Sequence, residues 1–448
     1  MATLEEIVIY IEMLDSVLWS YLALPAIVIL AFYLTILHRI PQFTKASHLV
    51  TVFKEAFKEQ DQQVGRGITP LRALFGSLGG CIGIGNIVAI GTAVQIGGPG
   101  AVFWLWVAAF CGMVVKYSEV YLGIKYRIAN LHGSYDGGPM FYMNKVYKSR
   151  MMPKIFSILL AMYGTEVYMF KVVSDSIALT WNLNSLIISY VLLASVLLVS
   201  RGGVDKVGQI CSAIIPLFLT LFMGMSLWVL YHSPVSIIDV LTIIITSAFN
   251  GHAALGGFAG STMFMAMGQG MARACYSSDV GSGYASVVQS ETSQQYPENQ
   301  AIFEFFGVFV DAFVVSTLTT FVLISTNVWH QEIPASHLLQ KALSLYFNGM
   351  DYFIPFFITL LGFSNLLAFF SVGRKCASYL HPRLGIKYYY VYAVFAYLFF
   401  AHTNQKYALL MMSIIGVSLL LINVYAIFRL RNEVLMPDLN KNYFRRNH

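Results

Sequence analysis

Ser77-Leu-Gly-Gly-Cys-Ile-Gly-Ile-Gly-Asn86, continued by Ile-Val-Ala-Ile-Gly91, is apolar enough to enter a bilayer and too glycine-rich to cross it as a regular helix. Each glycine disfavours helix by about 1 kcal/mol relative to alanine, so the cluster predicts local unwinding. Backbone groups freed by unwinding cannot face lipid. They must face protein or a polar cavity, where they can hold a ligand.

Composition identifies the solvent around the rest of the chain. Of 448 residues, 57% are hydrophobic and 11% charged, and the mean hydropathy is +0.66. Soluble domains run at roughly 45–50% apolar and about 25% charged, so lipid must solvate much of this chain. The longest polar stretch, from about His38 to Pro70, is too short for a soluble domain. The net charge of +6 is not a nucleic-acid signal, because the basic residues sit in short loops beside apolar runs. Cys81, Cys111, Cys211, Cys275 and Cys376 form no CxxC pair and read as small packed residues, not as disulfide or metal ligands. Residues 1–16 are acidic and carry no Lys or Arg, so no cleavable signal peptide is expected.

A helical span needs about 20 mostly apolar residues. Eleven candidates are centred near Ile27, Gly83, Phe110, Met162, Leu192, Leu221, Gly256, Val314, Leu361, Phe395 and Ile415. Lys and Arg in the loops set orientation. Of the 28, 24 fall on one side, Arg273 among them; Lys341 and Lys406 fall on the other, and Lys116 and Lys171 lie inside spans. The pattern predicts a multi-pass cell-membrane protein with its N-terminus outside and its C-terminus in the cytoplasm.

Span 7 carries a second glycine cluster, Phe249-Asn-Gly-His-Ala-Ala-Leu-Gly-Gly-Phe-Ala-Gly-Ser-Thr262. One such cluster alone often means only close helix packing. Two broken helices five spans apart point to an inverted-repeat transporter, and the odd offset forces the halves into opposite orientation. The expected organisation is 1–70, a first span with its cytoplasmic loop; 71–235, the first repeat; 236–430, the second repeat; and 431–448, a cytoplasmic tail.

Several charges fall inside spans. Glu166, Lys171 and Asp175 lie in span 4, where Lys171 and Asp175 share a face at i,i+4. They read either as a neutralising pair or, for Asp175, as a site for a substrate ammonium. Asp311 reads as a scaffold or gate residue, and Lys116 with Glu119 as a helix-end pair. Arg273 is a candidate to close a cytoplasmic gate with Asp279. His252 reads as a packed, hydrogen-bonded histidine.

Further motifs run in a recognisable order: Gly97-Gly-Pro-Gly-Ala-Val-Phe-Trp-Leu-Trp106, Lys116-Tyr-Ser-Glu-Val120, Gly137-Gly-Pro-Met-Phe141, Gly256-Gly-Phe-Ala-Gly260, Gly281-Ser-Gly283 and Gly307-Val-Phe-Val-Asp311. Together they resemble the alanine/glycine:cation symporter family, over roughly Arg72 to Tyr379. The resemblance implies an all-α membrane protein of the leucine-transporter type: eleven helices, five plus five inverted, with one extra N-terminal span. It implies a sodium site from Gly79, Ile82, Leu361, Ser364 and Asn365. It implies a substrate site from Gly80, Cys81, Gly83, Ile84, Gly85, Asn86, Gly256, Gly257, Phe258, Gly260 and Phe369. The amides of Ile84 and Gly85 would meet a carboxylate, as a half-helix N-terminus can. The chain departs from the family pattern where Cys81 and Ile84 replace threonines, where Val173 replaces a glutamine, and where Asn365 stands beside Ser364 in place of threonine.

The resemblance therefore implies a symporter for a small neutral amino acid, alanine or glycine, with sodium as coupling ion and no organic cofactor. A proton-coupled carrier of the same fold is the alternative, and a passive channel the rival from another class. A channel would show a repeated filter, and none is visible. No HExxH, no P-loop and no serine–histidine pair stands out, so an enzyme or an ATP-driven pump is not expected. A monomer is compatible with the sequence.

Overall fold

The computed structural model describes residues 4–58, 65–83, 88–130, 133–250, 263–331, 333 and 335–437. Among them the fold is a helical bundle with one small antiparallel hairpin, Ile128–Ala129 against Tyr135–Asp136. Seven helical segments of the described residues are long and apolar enough to cross a membrane: Val8–Leu37, Ala101–Lys125, Met151–Trp181, Ser185–His232, Pro297–Ser325, Met350–Leu380 and Gln405–Glu433. The Ser185–His232 segment turns at Ser200–Gly202, where a 3₁₀ turn separates helices Ser185–Val199 and Gly203–His232. Large apolar side chains such as Ile36, Leu179, Val391 and Phe395 point outward, as a lipid-facing surface requires.

The stretch 77–91 is broken as its glycines predict. A helix runs Pro70–Cys81 and stops where Ile82 turns to an extended φ of −81° and ψ of 99°. Helix is present again by Val88 and Ala89, which are π-helical and lead into the α-helix Ile90–Gly97. Two glycines on the first half are there for contact. A Cβ on Gly79 would sit 2.4 Å from Cys211 Sγ, and one on Gly80 would sit 2.4 Å from the Tyr284 ring. The half-helix can therefore lie close against Gly203–His232 and against Tyr284. The second glycine cluster, residues 251–262, lies outside the described residues; helices Ile237–Asn250 and Met263–Ser277 flank it.

A further break falls in Met151–Trp181. Helix Met151–Tyr163 ends at Gly164, and helix Val167–Trp181 begins after Glu166. Glu166 adopts a left-handed φ of 46°, a conformation that costs a non-glycine residue energy. Gly164 sets this break by packing: a Cβ there would lie 2.8 Å from both Gly373 Cα and the Phe369 carbonyl. Phe309–Ser316 is a π-helical stretch with Asp311 in its first turn; such widened turns recur at functional sites.

Outside the spans, the Ala46–Lys58 helix lies on the bundle with His48, Val52 and Ala56 buried. His48 Nε2 is 3.1 Å from Asn299 Oδ1. Burial holds the His48 pKa below its usual 6.5.

Candidate functional site

The break after Cys81 opens onto an internal cavity of about 170 Å³. Sites for drug-sized ligands are roughly 300–1,000 Å³, so this one suits a small solute. Its described lining is Gly80, Cys81, Gly83, Val88, Ala89, Thr92, Tyr163, Glu166, Tyr168, Met169, Arg273, Asp279, Asn365, Phe369 and Leu409. Phe369 forms an aromatic wall, stacked on Tyr284 at 4.2 Å and edge-on to Tyr163 at 5.5 Å. Tyr284 is anchored in turn by donating to the Gly76 carbonyl at 2.7 Å.

The polar atoms of the cavity are unevenly satisfied. Asn365 Nδ2 donates to the Gly80 carbonyl at 2.7 Å, capping an acceptor that the end of the helix leaves free. Asn365 Oδ1, Glu166 Oε2 and Asp279 Oδ2 are buried and accept no hydrogen bond among the described residues. Buried polar atoms without partners are uncommon, and each calls for an explanation; three on one cavity point to a ligand rich in donors or positive charge.

Of the residues expected at the site, Gly80, Cys81, Gly83, Asn365 and Phe369 line the cavity. Gly79, Ile82, Leu361 and Ser364 are buried behind that lining, and Ser364 Oγ donates to the Leu361 carbonyl at 2.8 Å. Ile84, Gly85, Asn86, His252, Gly256, Gly257, Phe258 and Gly260 lie outside the described residues. Asp175 is elsewhere: it pairs with Lys171 at 3.1 Å, accepts from Ser185 at 2.6 Å and Gln405 at 2.9 Å, and lines a separate cavity. With its oxygens so occupied, it is not the carboxylate that faces the glycine break. That carboxylate is Glu166, whose place in span 4 is legible in sequence but whose orientation depends on the break at Gly164.

Two other expectations are corrected. Lys116 does not pair with Glu119. Its Nζ lies 3.3 Å from Glu304 and donates to Cys81 Sγ at 3.0 Å and the Ser278 carbonyl at 2.7 Å. Glu119 instead accepts from Asn423 at 3.2 Å. Ser77 donates to Glu304 at 3.2 Å, Gln289 bonds Glu304 as well, and Gln289 accepts from Gln300 at 2.7 Å. A buried polar chain thus runs from the cavity floor at Cys81 away from the cavity. Ser278 donates to Asp311 beside it.

Arg273 is not a loop residue, because helix Met263–Ser277 continues past it. It and Leu409 line both the small cavity and a larger one of about 860 Å³. The larger cavity is also lined by Glu12, Asp15, Trp19, Lys406 and Ser413. Glu12 pairs with Lys406 at 2.7 Å, and Ser413 donates to Asp15 at 2.8 Å. Arg273 therefore shares a cavity with Lys406, a residue expected on the opposite side of the membrane from it.

Comparison with known proteins agrees with this architecture. Residues 3–448 match the family described as the sodium:alanine symporter family. The sodium/alanine symporter AgcS of Methanococcus maripaludis is 31% identical over 362 residues, 78% of each chain. The probable sodium/glutamine symporter GlnT of Bacillus subtilis is 26% identical over 94% of this chain and 87% of its own length. Among solved structures, a manganese transporter of Eremococcus coleocola superposes with a TM-score of 0.55 at 14% identity, covering 81% of this chain and 78% of that one. At that identity the likeness speaks for the fold alone.

Proposed function

The chain belongs to the sodium:alanine symporter family, and from that premise we propose that it imports a small neutral amino acid, alanine or glycine, on a sodium gradient. The observation that carries the reading is the end of helix Pro70–Cys81 inside the bundle, which brings Gly80, Cys81 and Gly83 to one small cavity with Asn365 and Phe369. A 170 Å³ space walled by Phe369 leaves little room for a long side chain. The amides of Ile84 and Gly85 are assigned to the substrate carboxylate, Asn86 and Gly256–Gly260 to the rest of the pocket.

Sodium is assigned to the carbonyls of Gly79, Ile82 and Leu361, with Ser364 and Asn365. Asn365 Oδ1, buried and without a donor among the described residues, is an oxygen of the kind a hard cation takes. The mechanism is alternating access, with eleven spans, inverted halves at 71–235 and 236–430, and the C-terminus in the cytoplasm.

One observation favours proton coupling as the second reading: Ser364 and Asn365 already give hydrogen bonds to the Leu361 and Gly80 carbonyls. Uptake of labelled alanine, glycine and serine into proteoliposomes, with an inward sodium gradient against an inward proton gradient, separates the two. Sodium-driven accumulation is expected. Accumulation driven by protons alone would transfer the reading to its alternative, and no accumulation of any of the three would end it.

A further inference from the structure

Among the described lining residues Glu166 shares with Asp279 a left-handed backbone, burial to 5% exposure and a carboxylate oxygen that accepts no hydrogen bond. It takes a left-handed φ of 46° at a break between two helices inside the bundle. The residue is 5% exposed, and its Oε2 accepts no hydrogen bond among the described residues. Strain of this kind persists where the surroundings fix it, and it gathers at ligand clamps. The surroundings here are explicit, since Gly164 is pressed onto Gly373 and the Phe369 carbonyl. The same packing therefore sets the aromatic wall and aims the carboxylate.

The charges on the cavity do not balance by themselves. One guanidinium, Arg273, stands with two carboxylates, Glu166 and Asp279. Lys116 is engaged by Glu304 at 3.3 Å, and Lys171 by Asp175 at 3.1 Å. An ionised carboxylate only accepts hydrogen bonds, and an ammonium only donates them. A buried carboxylate is costly unless it is paired.

Resting on the amino-acid reading above, we infer that Glu166 holds the α-ammonium of the substrate, with Asp279 Oδ2 as a second acceptor. The substrate carboxylate is then left to the amides at the break after Cys81. Glu166 is thereby a specificity residue: it selects zwitterionic amino acids and rejects carboxylic acids that lack the amine.

The test uses the purified full chain with two probes, L-alanine and L-lactate, which share carboxylate and methyl but differ in the ammonium. Dissociation constants and labelled-alanine KM and kcat are measured for the wild type, Glu166→Gln and Glu166→Gly. The glycine variant relieves the left-handed strain and keeps the test usable if the glutamine variant folds poorly. Both variants are expected to weaken alanine by roughly tenfold to a hundredfold, the range for a charge-assisted hydrogen bond, and to leave lactate binding unchanged. Unchanged alanine affinity overturns the inference, as does equal weakening of alanine and lactate. Loss of the pH dependence of transport with alanine KM intact also overturns it, because Glu166 would then carry a proton. A wild type that binds no alanine, glycine or serine fails before any variant is compared and removes the amino-acid reading itself.

Discussion

Asn365 donates its side-chain amide to the carbonyl of Gly80 at 2.7 Å, across 285 positions of sequence. This bond ties the Met350–Leu380 helix to the last turn of Pro70–Cys81, where the helix leaves acceptors unpaired. Asn365→Ala strands a buried carbonyl, a loss of about 1–3 kcal/mol. Thermal unfolding of the purified variant is expected to fall and alanine uptake with it. Asn365→Thr, which restores a hydroxyl, is expected to keep uptake and lower the sodium concentration for half-maximal rate. An Asn365→Ala variant with wild-type melting and uptake would show the bond to be incidental.

The contact of Gly79 with Cys211 makes a paired prediction. A methyl on Gly79 would meet Cys211 Sγ at 2.4 Å and Cβ at 3.3 Å. Overpacking of this kind costs about 1–3 kcal/mol, so Gly79→Ala should lower both melting temperature and transport. Adding Cys211→Ala removes the closer atom and should restore most of the loss. A double variant no better than the single would place the defect in the backbone of the break and not in helix packing.

Lys116 and Glu304 are both 1% exposed on their side chains. Removing one partner of such a pair leaves an uncompensated buried charge and costs about 3–5 kcal/mol. Glu304→Gln is therefore expected to destabilise strongly, and Lys116→Met with Glu304→Leu to destabilise less than either single change. Size-exclusion recovery after graded heating measures both. Equal loss in single and double variants would refute the coupling.

How much of this was legible in the sequence can be judged residue by residue. The break at Ile82 was legible because glycine weakens a helix wherever it sits, and four glycines between Gly79 and Gly85 add up locally. The break before Glu166 was not, since Gly164 stops the helix through contacts with Gly373 and Phe369, some 200 positions on. Asp175 and Lys171 were legible as an i,i+4 pair, but the bonds from Ser185 and Gln405 that turn Asp175 from the cavity are tertiary. Spacing alone pairs Lys116 with Glu119, but Glu304, 188 positions away, lies buried within 3.3 Å of its ammonium and takes it. The same limit applies to Arg273, where nothing local marks whether Met263–Ser277 stops before it or runs on.

His48 supplies a pH prediction outside the spans. Its folded pKa is depressed below 6.5 by burial, so the neutral ring is favoured in the packed state. The stabilisation is complete above the unfolded value of about 6.5. It is lost as pH falls toward and through the folded pKa. Protection factors for amide exchange in the Ala46–Lys58 helix, that is, rates divided by the intrinsic rate at each pH, should fall on going from neutral to mildly acidic pH, and His48→Gln should flatten that response. Protection factors that do not change with pH in the wild type would contradict it.

In the proposed function the cavity at the end of Pro70–Cys81 moves an amino acid and a cation together. Its most direct test is the influx of radiolabelled sodium into proteoliposomes with the membrane potential clamped at zero, with and without an inward alanine gradient. Alanine is expected to accelerate sodium influx, and Glu166→Gln to require far more alanine for the same acceleration. Sodium influx indifferent to alanine, while alanine itself still enters, would contradict it.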